Sequence, residues 1–277
     1  MKYSVFSPPK ELSDIVNQYV VITSFDGIDS LLFLPNGCNF IVFNRGFEGY
    51  TQIYNENKKF SIPKNYSISI KNNKIKKFIL KQDNSTGKFP MILAELTPIG
   101  FYKLFNKDAS CLKDGYLEIE NSIVEKYFKN LYLHNSIEEE LRYLNKNLLA
   151  MEASQNNNHM CIQDVLDRII NTYRFEVSVK KLLEDFDCSR SKLEREFKKI
   201  IGLTPKNFIY ISKFCKTVVA YIEDECRFSE LEYLYSDHSH MNSVFKKFFG
   251  VNPSVVFDDV TNQKIQIYQM QRAKESL

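Results

Sequence analysis

Phe197-Lys198-Lys199-Ile200-Ile201-Gly202-Leu203-Thr204-Pro205 occurs a second time, as Phe245-Lys246-Lys247-Phe248-Phe249-Gly250-Val251-Asn252-Pro253. The pattern Phe-Lys-Lys-apolar-apolar-Gly-apolar-polar-Pro is kept at every position and at one constant offset. The same offset sets Leu193 over Met241 and Ser191 over Ser239. A solenoid needs at least about three repeats, so two copies predict a doubled three-helix unit.

The first copy has a mechanical logic. Val179–Phe186 reads as a short amphipathic helix with Leu182, Leu183 and Phe186 inward, and Asp187-Cys188 makes the turn. Ser189 suits the N-cap of the next helix, because its hydroxyl can accept an orphaned backbone N–H. That helix, 189–201, buries Leu193, Phe197 and Ile200 or Ile201 and exposes Arg190, Ser191, Lys192, Glu194, Arg195 and Lys198. Gly202 suits a left-handed C-terminal cap, and Pro205 marks a stop or restart. A short helix, a tight turn and a longer helix with a basic outer face make a helix-turn-helix. Such a second helix fits the major groove, where Arg reads guanine and Lys holds phosphate.

These residues resemble the AraC/XylS transcription regulators, over about Ile162 to Phe257. In that family the DNA-binding domain has two helix-turn-helix units joined by a long helix, each ending in Phe-Lys-(Lys)-x-x-Gly-x-(Ser/Thr)-Pro. Lys213-Phe214 stands where the family has Arg and an apolar residue in the joining helix. Tyr235-Ser236-Asp237-His238-Ser239-His240-Met241 resembles the start of the family's second recognition helix. The resemblance implies that Ser191, Glu194 and Arg195 face bases while Lys192 and Lys198 hold backbone. In the second unit it implies Ser239, His240 and Ser243 toward bases, Asn242 on the same helix, and Lys246 and Lys247 nearer phosphate or solvent.

Two departures stand out: Leu234 replaces the family's Gly, and Ser243 replaces a frequent Arg. The preceding helix, Phe228–Tyr233, carries Glu230 and Glu232 and fits the pattern poorly. The first unit is therefore expected to dominate base reading. The family further implies double-stranded DNA and RNA polymerase as partners, and an activator. A regulator that keeps the fold but acts through protein contacts, with weak or no specific DNA binding, is the alternative.

Upstream, the period is different. Tyr19–Ile22, Leu31–Leu34, Phe40–Phe43 and Met91–Ala94 are short apolar runs, and Tyr66–Ile70 alternates. Turn chemistry punctuates them at Pro35-Asn36-Gly37, Asn44-Arg45-Gly46, Asn55–Asn57, Lys71–Asn73 and Asp83–Gly87. The pattern predicts a small barrel or sandwich. Pro8-Pro9 and Leu34–Phe43 are also similar to the β-rich, cupin-like sensor domain of one branch of the family. Phe33, Phe40, Phe43, Tyr66 and Phe78 either line a pocket for a small-molecule effector or fill a core.

After Pro98 the reading is helical, over 98–105 and 123–133. Ile137, Leu141, Leu144, Leu148 and Met151 then step as a heptad seam behind an acidic first turn. This stripe is either a homodimer contact or the face that packs on the chain's own sheet. Ser154–His159 is the polar break that divides the chain.

The expected whole is an α+β protein. A β-rich domain with helices spans 1–153, a linker 154–160, an all-α domain with two helix-turn-helix units 161–258, and a tail 259–277.

Composition agrees with this and excludes other classes. The 277 residues carry 37 Lys+Arg against 34 Asp+Glu, with 44% hydrophobic, 9 Gly and 8 Pro. That excludes a charge-dominated disordered chain and a collagen. In the C-terminal region acidic and basic residues nearly cancel, so the positive charge is local to Arg190–Lys199 and one domain alone is expected to bind DNA modestly. A homodimer on two half-sites would raise that affinity. The chain start lacks a signal peptide's apolar stretch and no run reaches the ~18–20 residues of a membrane span, so a cytoplasmic protein without a membrane partner is expected.

Six scattered cysteines without C-x-x-C predict reduced thiols. His238 and His240 lie on different helix faces, so no metal is expected, nor any cofactor. The G-x-S-x-G, P-loop, H-E-x-x-H and G-x-G-x-x-G patterns of enzymes are absent.

Overall fold

The N-terminal apolar runs pair as strands. A computed structural model describes residues 2–25, 30–54, 56–70, 74–80, 88, 90–112, 114–153, 162–172, 177–222, 235 and 237–255. Among these, the strands are β1 (Lys2–Phe6), β2 (Val16–Ser24), β3 (Ser30–Phe33), β4 (Asn39–Phe43), β5 (Gly49–Ile53), β6 (Lys59–Ser61), β7 (Ser67–Ile70), β8 (Lys76–Leu80), β9 (Met91–Leu96) and β10 (Gly115–Glu118). They form two antiparallel sheets, in the orders β1-β2-β9-β4-β7-β10 and β3-β8-β5-β6. All five strand readings from the sequence meet strands, with Leu34 and Tyr66 one residue beyond the ends of theirs.

The larger sheet is covered on both faces, which explains its unbroken apolar runs. Val20, Ile22, Phe40, Val42, Met91 and Leu93 point toward the smaller sheet. Their neighbours Tyr19, Val21, Ile41, Phe43, Ile92, Ala94 and Leu96 point the other way, into a core completed by helices. Those helices are α1 (Gly100–Phe105), α2 (Asn121–Ile123) and α3 (Ile137–Ala153).

The heptad stripe belongs to this second core. Leu141, Leu144, Leu148 and Met151 are buried there, with Ile137 partly buried beside them. A dimer seam needs these side chains at the surface, so the expectation of a homodimer contact through Ile137, Leu141, Leu144, Leu148 and Met151 is corrected. The apolar face of α3 covers the chain's own sheet.

The helix expected over 123–133 is also broken. A π-turn over Val124–Phe128 and a 3₁₀ turn over Leu131–Leu133 replace it, with Tyr132 outside helical geometry (φ −96°, ψ 19°). The break sets Phe128 5.2 Å from Phe43 and 6.2 Å from Tyr66, ring to ring, and lets the Tyr132 hydroxyl donate to the Phe43 carbonyl at 2.5 Å. Phe128 and Tyr132 thereby anchor the segment on Phe43 of β4.

The regular elements described in the C-terminal region are all helices: α4 (Ile162–Asn171), α5 (Val179–Asp185), α6 (Arg190–Ile201), α7 (Pro205–Ile222) and α8 (His238–Phe249). The 154–160 segment, the 259–277 tail, Phe228–Tyr233, Leu234, Cys161 and Cys226 lie outside the described residues. So do residues 55, 71–73 and 83–87 of the turn segments. Cys38, Cys111, Cys188 and Cys215 form no disulfide. No described helix is long and apolar enough to cross a membrane, and the described residues hold no His/Cys/Asp/Glu cluster able to bind a metal.

Candidate nucleic-acid interface

Backbone chemistry places α6. Ser178 caps α5, its side chain accepting from the Lys181 N–H. Asp187 turns the chain with a left-handed φ of 42°. The Ser189 hydroxyl then accepts from the Lys192 N–H at 3.3 Å, and Gly202 closes α6 at φ 80° with its N–H on the Lys198 carbonyl. The long joining helix restarts at once, with Pro205 in its first turn and the Thr204 hydroxyl accepting from the Asn207 N–H.

The inward face of α6 is Leu193, Phe197, Ile200 and Ile201, buried with Val165, Leu166 and Ile169 of α4, Leu182 of α5 and Phe208 and Ile211 of α7. The Phe197 and Phe208 rings meet edge to face at 5.7 Å. That burial fixes the rotation of the helix. Arg190, Ser191, Lys192, Glu194, Arg195 and Lys198 are all exposed in consequence. Ser191, Glu194, Arg195 and Lys198 form a single row along the outer face, since residues three or four apart on a helix share one side.

Charge on this row is tempered from within. Arg190 Nε lies 3.4 Å from Glu194 Oε1, and Arg195 Nε 3.5 Å from Glu196 Oε1. Both arginine side chains remain about two-thirds exposed, so these are solvated pairs that a duplex can replace.

The second helix repeats the design. Asp237 caps α8, Oδ1 accepting from the His240 N–H at 2.7 Å, and Gly250 ends it at φ 73°. Met241, Val244 and Phe245 are buried, with Phe245 edge-on to Phe214 of α7 at 5.2 Å. On the outer side, Ser239, Asn242, Ser243, Lys246 and Lys247 line one open depression of about 600 Å³. His240 is set apart from them, its ring 5.9 Å from that of Tyr235. Sequence reading did not assign Asp237 its capping role, although it occupies in the second copy the position of Ser189 in the first.

The model of a helix-turn-helix domain family matches residues 182–259. Residues 182–259 are a helix-turn-helix domain of the AraC type. A helix-turn-helix domain is a DNA-binding unit, and here it occupies residues 182–259. Among solved structures, an apo single-site variant of ToxT from Vibrio cholerae strain SCE256 is similar at 12% identity, covering 87% of this chain and 97% of that one, with a TM-score of 0.43. Another crystal structure of ToxT from Vibrio cholerae gives 10% identity, 93% and 97% coverage and a TM-score of 0.45. The AraC-like transcriptional activator CuxR gives 11% identity, 77% and 86% coverage and a TM-score of 0.27. No curated protein matches the sequence.

The five aromatic residues expected around a pocket do not converge. Phe33, Phe40 and Phe78 lie between the two sheets, with ring centroids 6.0 Å apart for both Phe33–Phe40 and Phe33–Phe78. Phe43 and Tyr66 sit across the larger sheet, against Phe128. One pocket between the sheets, bounded by Phe33, Phe40, Phe78 and Tyr116 among others, holds about 20 Å³. That is room for about one water. Of the two readings of these five residues, a pocket or a filled core, the close ring contacts and this small volume favour the core.

The first helix-turn-helix also draws on the N-terminal domain, which sequence reading did not foresee. Ile99 and Tyr102 of the α1 region are buried in the same core as α4–α7. A Cβ on Gly37 would lie 2.4 Å from the Phe208 ring, so the Pro35–Cys38 loop and α7 touch directly. The Cys215 thiol donates to the Pro35 carbonyl at 2.8 Å. Inside the sheet, the Glu95 carboxylate accepts from Gln18 and Asn36 at 2.7 Å each, tying that loop to β9 and β2.

Proposed function

We propose that the chain binds duplex DNA sequence-specifically, with α6 reading bases in the major groove and the second unit fixing orientation. The observation that carries this reading is the exposed row Ser191, Glu194, Arg195 and Lys198, held outward by the burial of Leu193, Phe197, Ile200 and Ile201. Arg195 is the base reader, with a guanine the natural partner for its planar fork. Glu194 accepts from a cytosine amine or rejects phosphate, Lys198 takes phosphate, and Arg190 and Lys192 flank the contact. In the second unit Ser239, Asn242, Ser243, Lys246 and Lys247 supply a polar, cationic surface suited to backbone. His240 makes a peripheral contact.

The proposal divides the chain into an N-terminal regulatory domain, 1–153, and a DNA-binding domain, 161–258, and includes a homodimer on two half-sites. The near-neutral charge of the C-terminal region supports the need for a second reading head. In this reading the copies meet elsewhere than at the α3 stripe, whose burial against its own sheet supports that choice. The activator role, and the RNA polymerase contact it entails, rest on the family resemblance alone.

The test is selection of duplexes from a random pool by the full chain, then binding of the enriched site and a scrambled one by wild type and Arg195→Ala. Enrichment of a site that Arg195→Ala binds more weakly by about 1–3 kcal/mol supports the reading. No enrichment, with equal binding of every sequence, overturns it in favour of a regulator that works through protein contacts.

A further inference from the structure

The lysine end of α6 is built against the N-terminal domain. A Cβ at Gly202 would lie 2.5 Å from the Ala109 carbonyl oxygen, so the helix terminus and the 3₁₀ turn Ala109–Cys111 are in direct backbone contact. Asp108 opens that turn, its carboxylate accepting from the Ser110 N–H at 2.8 Å. Beside it, the Tyr102 ring lies 5.8 Å from Lys199 Nζ. The carboxyl of Asp108 is held below its usual range, first by its hydrogen bonds to Ser110 and then by the charges of Lys199 and Lys198. A carboxylate from one domain therefore stands in the field of two lysines of the other, at the end of the outward row of α6.

We propose that the Asp108–Cys111 turn competes with DNA for the recognition helix, its carboxylate opposing a backbone phosphate at Lys198 and Lys199. This rests on the DNA-binding reading of α6 given above. A phosphate brought to Lys198 meets the same-sign charge of Asp108, and the cation it seeks is already partly neutralised. Both effects are Coulombic at an exposed site, so both weaken DNA binding at low salt and fade as salt rises. The N-terminal domain thereby sets the affinity of the reading head with no bound molecule.

Duplex affinity of the full chain, measured by fluorescence anisotropy, tests this with Asp108→Asn, which keeps an acceptor for the Ser110 N–H. The variant should bind about two- to fivefold tighter than wild type at low salt. The gain should shrink at higher salt and disappear in a Lys198→Ala, Lys199→Ala background, where no cation is left to release. Glu118→Gln, which removes an exposed carboxylate on β10, should show no such gain. Equal gains from Glu118→Gln and Asp108→Asn overturn the proposal, because net charge alone then explains them. So does unchanged or weaker binding by Asp108→Asn while Arg195→Ala still loses affinity, and in that case the DNA-binding reading stands. Failure of every form, wild type included, to bind duplex overturns both.

Discussion

Ser189 and Asp237 hold the same station in the two repeats, each capping its recognition helix. The Ser189 hydroxyl accepts from the Lys192 N–H at 3.3 Å and the Asp237 carboxylate from the His240 N–H at 2.7 Å. Removing either oxygen leaves an orphaned donor at a helix start. Ser189→Ala and Asp237→Ala should each cost about 1 kcal/mol, read as a lower urea midpoint. Substitution of either by Asn should restore most of the loss.

Gly202 and Gly250 end the same two helices with φ of 80° and 73°, but their surroundings differ. A Cβ at Gly202 meets the Ala109 carbonyl at 2.5 Å, while one at Gly250 meets nothing within 4 Å. Gly250→Ala should cost only the left-handed backbone strain, about 1–2 kcal/mol. Gly202→Ala should cost clearly more, because the turn at Ala109 must also move. Equal losses in chemical denaturation would contradict the close contact between the two domains.

Leu144 and Leu148 are fully buried under the larger sheet. Leu144→Ala should lower stability by about 2–5 kcal/mol. The loss should be the same whatever the protein concentration, from dilute to highly concentrated samples. A loss that diminished at high concentration would return the α3 stripe to a seam between copies.

Burial pushes the Glu140 carboxyl above its ordinary value of 4.5, offset in part by Arg45, whose Nη1 is 4.0 Å from Oε1, and by His134. A raised folded-state value means the folded chain keeps a proton that the unfolded chain has released. Glu140 therefore supports stability below the ordinary carboxylate value, and that contribution is lost as pH rises through the folded one. Glu140→Gln should remove the loss, gaining on wild type as pH climbs from 4.5 toward neutrality in a series of urea melts. A difference between the two proteins that did not vary with pH would contradict the shift.

The sequence carried the reading head well because a repeat supplies its own control: the caps, the outward row and the left-handed glycines recur at one offset. The strands with apolar runs were equally plain. Strands β5 and β8 were not, since Tyr50, Gln52 and Lys77 put polar or amphipathic groups on one face of Gly49–Ile53 and Lys76–Leu80. The α3 stripe shows a different limit. An apolar face at helical spacing is the same pattern whether a sheet or a second helix covers it, and only the tertiary structure decides. Nor does periodicity reveal that Ile99 and Tyr102 serve a core assembled from residues 162–211.

That shared core bears on how the molecule can be cut. A chimera joined at the 154–160 segment would leave α1 with the discarded half and open a void where Ile99 and Tyr102 had been. Grafting the reading head onto another sensor calls for carrying the α1 segment along, or for substituting larger side chains that reseal the hole.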